Sequence, residues 1–554
     1  MHPVASALSP VPEAASRISD KRELSITLAL AGLFVLWTAF LIRAASNVYP
    51  DGHRNFLLFD DGMISLRYAW NLAHGHGLVF NPGERVEGYT NLLMVLLMTG
   101  ATAIFSKPIA PLCIQVVGVV TVLGIATLTR SIASLVARDE PEVHLPSVRV
   151  VAFASVLAYY PLVYWGFMGM ETPLLTLLLL GGLYHVLRFE AEERGWRLVL
   201  AGGCLALAYL TRPDSLILPP VLGAYVLLHI VRRRRLAQDI RPLALGVGLF
   251  LGTVVGHWLW RRGYYHSSWP NTYVLKVLGR DFLGRMVDGL RFTRMFLLES
   301  ILLLVLAAGE LLFAARRRKV LLGTIALTLI VYQIAIGGDF SKLWRLLCPA
   351  IPGLLVLVIT GAASILAGVA RTPVFQACFL RRASLGSGSV HLYLLGLVMG
   401  LVLYSVDARF LPEMTFAARP ETAEDLSYYA AAGLALDEIL APEATVGSFW
   451  LGTISYYSGR KAIDFLGKID PYIAQRPQDT SGKCSWLGMK SMPGHNKYDL
   501  DYSIRKLLPT YVEAFTWGKQ DLRAWAPSAY ELVNYKQFSF WLLRDSPLVR
   551  WDKL

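Results

Sequence analysis

Long apolar segments separated by short polar loops occupy the first 406 residues of the chain. Most of them are about 16–24 residues long, which is the length of a helix that crosses a bilayer, whereas the strands of a membrane barrel are much shorter. The pattern therefore predicts an α-helical polytopic membrane protein. We count eleven spans, at residues 24–43, 110–130, 149–167, 171–187, 197–212, 215–231, 243–260, 296–315, 320–337, 345–368 and 390–406.

The pattern changes after residue 407, where Asp, Glu, Lys, Tyr and Trp become more frequent. Apolar positions at helical spacing predict a helix from Glu424 to Ile439. Residues 407–554 are therefore expected to form a small α/β domain, which follows a short N-terminal segment (residues 1–23) and a membrane domain (residues 24–406). Runs rich in β-branched and aromatic residues predict strands at 445–449, 461–464, 510–512 and 538–543.

Composition supports the membrane assignment and limits the partners. Of the 554 residues, 55% are hydrophobic and 17% are charged, whereas a soluble protein carries about 25% charged residues. The formal net charge is +13. In a membrane protein such an excess normally lies in cytoplasmic loops, so we do not predict a nucleic-acid partner.

The basic clusters fix the predicted topology. They lie at residues 188–197, 232–235, 316–319 and 371–382, after spans four, six, eight and ten. With residues 1–23 in the cytoplasm, all four clusters fall inside, as the positive-inside rule requires. The loop at 44–109 and the domain at 407–554 are then exterior.

One apolar segment, at residues 91–106, does not fit a simple count of spans. It is short for a spanning helix. If it crossed the membrane, it would reverse the orientation of every later segment and place Arg232–Arg235 outside. We therefore predict that it is a juxtamembrane or re-entrant helix.

Two adjacent carboxylates, Asp60 and Asp61, lie in the first exterior loop. Charges beside a membrane are costly and usually functional. One carboxylate could act as a general base on an acceptor hydroxyl, and the pair could also ligate a divalent cation such as Mg²⁺, Mn²⁺ or Ca²⁺. The structural alternative is capping of a helix that starts at Met63, which would explain only one aspartate, Asp61.

Further polar side chains lie at predicted exterior ends of spans or in exterior loops. The alternatives for them are a solvated loop, marking of the membrane boundary, an aromatic belt or local ion pairing. Arginine and lysine near the outer leaflet suit a phosphate group. The candidates for binding a donor phosphate or sugar are Arg67, Glu84, Glu87, Glu171, Arg212, Asp214, Tyr273, Lys276, Asp339 and Arg345. His495 and Lys497, in a polar loop of the exterior domain, are candidates for binding an acceptor.

These motifs resemble a known family. Residues 60–67 and 77–87 are similar to the first exterior loop of bacterial GT-C glycosyltransferases, and most similar to the branch that contains mycobacterial terminal β-(1→2)-arabinofuranosyltransferases and proteobacterial relatives. Residues 169–172, 337–340 and 493–497 also resemble that branch. The resemblance implies a GT-C fold, a polyprenyl-phosphate sugar donor at the outer leaflet, and Asp60 and Asp61 as catalytic carboxylates.

The sequence therefore suggests an integral glycosyltransferase of the bacterial cytoplasmic membrane with its active site facing the exterior. The resemblance implies transfer of a pentose, arabinofuranose, to an exterior glycan or protein. A transporter or flippase for lipid-linked sugars is the main alternative, and it should show charges in mid-span or broken helices in paired halves. A glycan ligase and a catalytically idle scaffold also remain open.

Overall fold

The computed structural model describes residues 13–49, 52, 54–140, 143–373, 387–482, 489–490 and 492–554. About half of the predicted N-terminal segment and the end of the basic cluster at 371–382 lie outside these residues. Within them, twenty α-helices and nine strands are found, besides short 3-10 and π-helical turns. The helices of the membrane domain are α1 Glu13–Ala45, α2 Asp60–Ala73, α3 Leu92–Ile104, α4 Ala110–Ala137, α5 Leu145–Ala158, α6 Tyr160–Phe167, α7 Thr172–Glu192, α8 Trp196–Thr211, α9 Pro219–Arg232, α10 Leu236–Tyr265, α11 Asn271–Lys276, α12 Phe282–Glu299, α13 Ile301–Phe313, α14 Arg317–Ile336, α15 Ile351–Ala370 and α16 Ser387–Asp407.

The predicted membrane helices are confirmed, with differences in shape. Among the described residues, eight helices are long and apolar enough to cross a membrane, or ten if each of two bent pairs counts as one span. The remaining predicted span, at residues 197–212, corresponds to α8, which is shorter. The bent pairs are α5 with α6, at 58°, and α12 with α13, at 84°. The predicted spans at 149–167 and 296–315 run across these two breaks, and most of α12 precedes the second of these spans. Proline at the start of α6 accompanies the first bend, because it lacks the N–H that would continue the helix before it.

The segment between the first two spans carries α2 and α3. Helix α3 has 13 residues, too few to cross a bilayer alone. This length agrees with the prediction that residues 91–106 do not form a span. The position of α3 relative to the membrane stays a prediction. Helix α2 packs against α3 on one side and against the C-terminal domain on the other.

The C-terminal domain is α/β, as predicted. Its helices are α17 Leu411–Met414, α18 Ala423–Ile439, α19 Leu451–Ser458 and α20 Pro471–Ala474. Its main strands are β3 Thr445–Ser448, β4 Lys461–Asp464, β5 Tyr511–Val512, β8 Tyr530–Tyr535 and β9 Phe538–Leu543. Two-residue strands form small ribbons, β1 Asn47–Val48 with β2 Arg54–Asn55 and β6 Thr516–Trp517 with β7 Gln520–Asp521.

Five strands form the sheet of this domain in the order β4-β3-β5-β9-β8. Strand β3 runs parallel to both β4 and β5, whereas β9 is antiparallel to β5 and β8. Helix α18 buries its apolar face against this sheet, and Leu436 and Ile439 are fully buried there. The carboxyl ends of β3 and β4 point toward α2, which brings the loops that follow them to the exterior loop of the membrane domain.

Candidate active site

The two aspartates occupy the first turn of α2, which begins at Asp60 rather than at Met63. Neither carboxylate caps this helix, so the capping alternative is wrong for α2. The two side chains have different partners, although they are adjacent in the sequence. Asp60 is 8% exposed, faces the C-terminal domain and lines one cavity, whereas Asp61 lines two cavities.

Asp60 caps a different helix. Its carboxylate accepts hydrogen bonds from the backbone N–H groups of Gly452 (3.3 Å) and Thr453 (2.9 Å) at the start of α19, and from the Thr453 hydroxyl (3.2 Å). The N-terminus of a helix leaves such N–H groups without partners inside the helix and favours negative charge. Burial still raises the pKa of Asp60 above its usual value, against the opposing effect of Lys468. Asp60 therefore joins the two domains.

Asp61 lies between two cations. Lys468 Nζ donates to Asp61 Oδ1 at 2.7 Å, and Arg345 Nη1 donates to Oδ2 at 3.0 Å. Burial alone would raise the pKa of Asp61, but Lys468 and Arg345 outweigh it and hold this pKa well below its usual value. Asp61 is therefore ionised at neutral pH.

Arg345 is itself oriented by a second carboxylate. Its guanidinium binds Asp339 through Nε (3.1 Å) and Nη2 (3.2 Å). Gly337 and Gly338, with φ of 95° and 85°, end helix α14 and turn the chain so that Asp339 faces Arg345. The predicted local pairing of these two residues is therefore present, and Arg345 also reaches Asp61.

Lys468 comes from the loop that follows β4. Asp464, at the end of this strand, accepts the backbone N–H groups of Leu466 (2.8 Å) and Ile469 (2.7 Å). The side chain of Asn271 donates to the carbonyl of Lys468 at 3.1 Å. The loop is thus held from both domains, and Lys468 is 4% exposed.

A cavity of about 680 Å³ lies on one side of Asp61. Apolar residues of α10 and α14, two of the candidate spans, line one part of it, among them Val255, Trp258 and Ile336. We call it the cationic cavity, after the basic residues that line the remainder: Arg212, Arg261, Lys276, Arg285, Arg345 and Lys468.

Lys276 differs from the other cations of this cavity. Among the described residues, its ammonium group forms no hydrogen bond or ion pair, and burial lowers its pKa. Arg212, in contrast, is bound to Glu171 (2.6 Å) and to Asp214 (2.8 Å). Tyr273 also lines the cavity, with its ring stacked on Trp269. Seven of the ten predicted donor-binding residues are thus together at this cavity: Glu171, Arg212, Asp214, Tyr273, Lys276, Asp339 and Arg345.

A second cavity, of about 740 Å³, lies on the other side of Asp61. Two carboxylates, Glu421 and Asp425, reach it from the C-terminal domain. We call it the aromatic cavity, after the rings that line it: Phe59, Tyr164, Phe340, Tyr429, Trp450 and Trp517. Asp61 and Lys468 line both cavities, and no other described residue does so.

The remaining predicted donor-binding residues lie elsewhere. Arg67 donates to the carbonyls of Phe80 (3.0 Å), Ser455 and Arg460 (2.6 Å), so it fastens α2 to the C-terminal domain. Glu84 forms a surface ion pair with Lys461. Glu87 forms a buried bidentate pair with Arg261, at 2.5 and 3.1 Å. Glu87 therefore supports the cationic cavity through Arg261.

The two predicted acceptor-binding residues are buried. His495 packs against Phe340 and Trp450, behind the wall of the aromatic cavity, and burial lowers its pKa to about 3. Lys497 donates to three backbone carbonyls at 2.7 to 3.0 Å. Neither side chain is among the described residues that line the two cavities, so acceptor binding by them stays a prediction.

The arrangement of Asp60 and Asp61 does not suit a divalent cation. The oxygens of Asp61 face two cations and those of Asp60 face the start of α19. Among the described residues, no cluster of three or more His, Cys, Asp or Glu side chains could hold a metal ion.

Three residues of the site were missed by sequence reasoning: Lys468, Arg261 and Asp464. Lys468 lies after a predicted strand and a glycine, and loops at the carboxyl ends of parallel strands often carry binding residues. The sequence alone does not show that β3 and β4 are parallel, so the position of Lys468 after β4 did not identify it as a binding residue. Arg261 directly follows the predicted span at 243–260, and the structure shows that α10 continues through it to Tyr265. A buried charge at this place in a membrane helix needs a partner, which is Glu87.

Comparison with known proteins identifies relatives in sequence. The chain is 28% identical over 303 residues to a terminal beta-(1->2)-arabinofuranosyltransferase of Mycobacterium tuberculosis, covering 51% of this chain and 45% of the relative. A protein of the same name from Corynebacterium glutamicum is 26% identical over 366 residues, covering 57% and 50%. The chain thus spans about half the length of the curated relatives it matches. The predicted resemblance to this branch is confirmed. Residues 418–549 also match a domain of unknown function, DUF8728.

Solved structures confirm the fold. ArnT from Cupriavidus metallidurans bound to undecaprenyl phosphate is similar with a TM-score of 0.55 at 14% identity, covering 95% of this chain and 98% of ArnT. The archaeal oligosaccharyltransferase AglB from Archaeoglobus fulgidus, in complex with an inhibitory peptide and a dolichol-phosphate, has a TM-score of 0.51 at 14% identity, covering 96% and 75%. The protein therefore has the predicted GT-C membrane fold with a C-terminal α/β domain.

Proposed function

We propose that this protein is a membrane glycosyltransferase that transfers a pentose, arabinofuranose, from a polyprenyl-phosphate donor to an exterior glycan or glycoprotein. The observation that carries the proposal is the position of Asp61. It lies where a cationic cavity bordered by candidate spans meets an aromatic cavity of the C-terminal domain. A transferase that joins a lipid-linked donor to a polar acceptor needs this arrangement, because both substrates must reach one catalytic group.

The cationic cavity suits the donor. Its apolar part, between α10 and α14, can hold the beginning of a prenyl tail. Lys276 has no protein partner among the described residues, so its charge is available for a phosphate. Arg345 lies beside Asp61 and presents a planar, permanently charged group that matches phosphate oxygens. The undecaprenyl phosphate and dolichol-phosphate bound by the two structural neighbours support this class of donor.

The aromatic cavity suits a carbohydrate acceptor. Trp450 and Trp517 provide flat apolar faces for a sugar ring, and Glu421 and Asp425 can accept hydrogen bonds from hydroxyls. Arabinofuranose as the sugar rests on the names of the curated relatives, which match about half of their own length.

Asp61 acts as the general base in this proposal. It removes the proton of the acceptor hydroxyl, whose oxygen bonds to the anomeric carbon of the sugar. The bond from that carbon to the phosphate oxygen breaks, and polyprenyl phosphate leaves with the electron pair, stabilised by Lys276 and Arg345. Lys468 and Arg345 make Asp61 a weak base in the free protein. The negative charge of a bound donor phosphate offsets these cations and makes Asp61 more basic.

The basic clusters give the orientation that we propose: a bacterial cytoplasmic membrane with the site on the exterior side. Glu171 and Arg188 lie at opposite ends of α7, and the Asp61 site is at the Glu171 end. Described arginines of the predicted inner clusters lie at the other end, where Arg235 pairs with Glu193 and Arg318 contacts the carbonyl of Leu135.

A transfer assay with Asp61→Asn tests the proposal. Purified protein is incubated with a synthetic prenyl-phosphoryl-arabinofuranose and an arabinoside acceptor, and the product is measured by mass spectrometry. Loss of the base should reduce turnover by about 10²–10⁴-fold while donor binding persists. Asp501→Asn, which changes an exposed aspartate of the C-terminal domain, is the control and should keep its activity. The same assay with and without EDTA tests whether transfer requires a divalent cation.

Two results would count against the proposal. If Asp61→Asn turned over at the wild-type rate, Asp61 would not be the general base. If the wild-type protein formed no product from any prenyl-phosphoryl sugar, the protein would not be a transferase of this class. The bent spans α5–α6 and α12–α13 favour a transporter as the second candidate, because broken helices are common in transporters. Movement of a fluorescent lipid-linked sugar between leaflets of proteoliposomes, without product, would support that candidate.

A further inference from the structure

Four arginines line a small cavity at the end of the helix bundle opposite Asp61. The cavity, of about 150 Å³, lies between α4, α5 and α7. Arg188 is 17 residues from Glu171 on α7, a separation of about 25 Å along the helix. The polar residues that line the cavity are Arg130, Ser131, Ser134, Arg138, Arg149 and Arg188.

The arginines exceed the carboxylates beside them. Glu23 of α1 pairs with Arg130 at 2.5 Å and with Arg149 at 2.8 Å, and Glu192 pairs with Arg188. Arg138 is exposed, and in the part of the chain that the structure describes its side chain has no hydrogen bond or ion pair. Two carboxylates therefore balance four guanidinium groups, and the cavity keeps a positive charge.

Two donor atoms in this wall also lack protein acceptors. The Nε atoms of Arg149 and Arg188 are buried, and each is without a hydrogen-bond partner among the described residues. Most buried donors in native proteins have an acceptor, so these atoms indicate an acceptor that the chain does not supply. A phosphate group has several acceptor oxygens and matches the geometry of arginine.

We propose that this cavity binds the phosphodiester headgroup of an anionic phospholipid in the cytoplasmic leaflet. Its walls are the ends of candidate spans, so the acyl chains of such a lipid can lie along the apolar surfaces of these helices. Basic pockets between membrane helices on the cytoplasmic side bind headgroups of this kind. The site is separate from the proposed donor cavity and does not depend on the transfer reaction.

Lipid binding by the full chain in detergent tests this site. Native mass spectrometry would compare phosphatidylglycerol and cardiolipin with phosphatidylcholine, for wild type and the variants Arg138→Gln and Arg188→Gln. We expect wild type to prefer the anionic lipids and each variant to bind them about fivefold less tightly. Arg241→Gln removes an exposed arginine of the same predicted side that does not line the cavity, and its binding should not change.

Arg138→Gln keeps the test informative if Arg188→Gln does not fold, because Arg138 is exposed and unpaired among the described residues. Equal binding of anionic lipid by wild type and a folded Arg138→Gln would overturn the site. A second arm adds millimolar inorganic phosphate and follows thermal stability. If phosphate stabilised the protein only when Arg138 is present, and no lipid were preferred, the cavity would be a site for soluble anions. This result would refute a phospholipid as its ligand.

Discussion

Replacing Lys468 with methionine tests whether the C-terminal domain sets the basicity of Asp61. The ammonium group lies 2.7 Å from Asp61 Oδ1 and belongs to the first of three cations that lower the pKa of this carboxyl, the others being Arg345 and Lys276. Methionine has a similar length but no charge. Asp61 keeps its bond to Arg345 in the variant, so it is not left as an unpaired buried charge.

The magnitude follows from the distance. An opposite charge within a few ångströms lowers the pKa of a carboxyl by about 1–3 units, so the pKa of Asp61 should rise by about that amount in Lys468→Met. A depressed pKa in the folded state contributes stability above the pKa of the unfolded state, and this contribution is lost as the pH falls through the folded value. The variant should lose part of that contribution.

The transfer rate measured against pH is the assay. In the wild type, Asp61 is ionised across the neutral range, so its protonation should not limit the rate above about pH 4. In Lys468→Met the acidic limb of the profile should move up by about 1–3 units, and the rate should fall first at low pH.

Lys461→Met is the matched control, because Lys461 begins β4, the strand before the Lys468 loop, and pairs with Glu84 at the surface. Its profile should match that of the wild type. An unchanged acidic limb in an active Lys468→Met would refute the reasoning, because Asp61 would then not be the group whose ionisation the rate follows.

Three further changes address the support of the site. Asp60→Asn should hardly change the free energy of unfolding, because asparagine also caps helices. Asp60→Ala should lower it by about 1–3 kcal/mol, because the N–H groups of Gly452 and Thr453 lose their acceptor. Thermal unfolding of both variants measures the difference. Gly452→Ala should destabilise the fold and reduce transfer, because its Cβ would lie 2.2 Å from the Asp60 carbonyl oxygen, and Gly396→Ala, with nothing within 4 Å, is the control for both assays. Burial raises the pKa of Asp464 to about 6, so its contribution to stability is present below about pH 4 and is lost as the pH rises through about 6. Asp464→Asn should therefore flatten melting temperature against pH in that window, and an unchanged slope would contradict this origin.

Much of the membrane domain could be predicted because its signal is local. Apolar length predicted the spans, and the carboxylates after the first span drew attention to Asp61, which lines a cavity in the structure. The bends of α5–α6 and α12–α13 were missed, since apolar composition continues through both breaks. Helix α19 was also missed, because its eight residues are mostly buried and show no amphipathic pattern.

The partners of the site residues could not be predicted, because they depend on contacts between distant segments. In the sequence Asp60 and Asp61 have the same local pattern. In the structure Asp60 accepts hydrogen bonds from the start of α19, whereas Asp61 pairs with two cations. Arg67 was expected at the donor and instead binds three carbonyls. An arginine beside an exterior loop has the same local pattern whether its partner is a phosphate or the backbone.

The pair formed by Asp61 and Lys468 has a consequence for the synthesis of the protein. Its two residues are 407 positions apart in the sequence, and Asp60 and Thr453 are 393 positions apart. At about 5–20 residues per second, the ribosome needs about 20–80 s to make the chain between them. During that interval the membrane helices can already be inserted while neither carboxylate has its C-terminal partner. The candidate site is therefore complete only after the C-terminal domain has folded, and a chain interrupted before residue 453 lacks both Thr453 and Lys468.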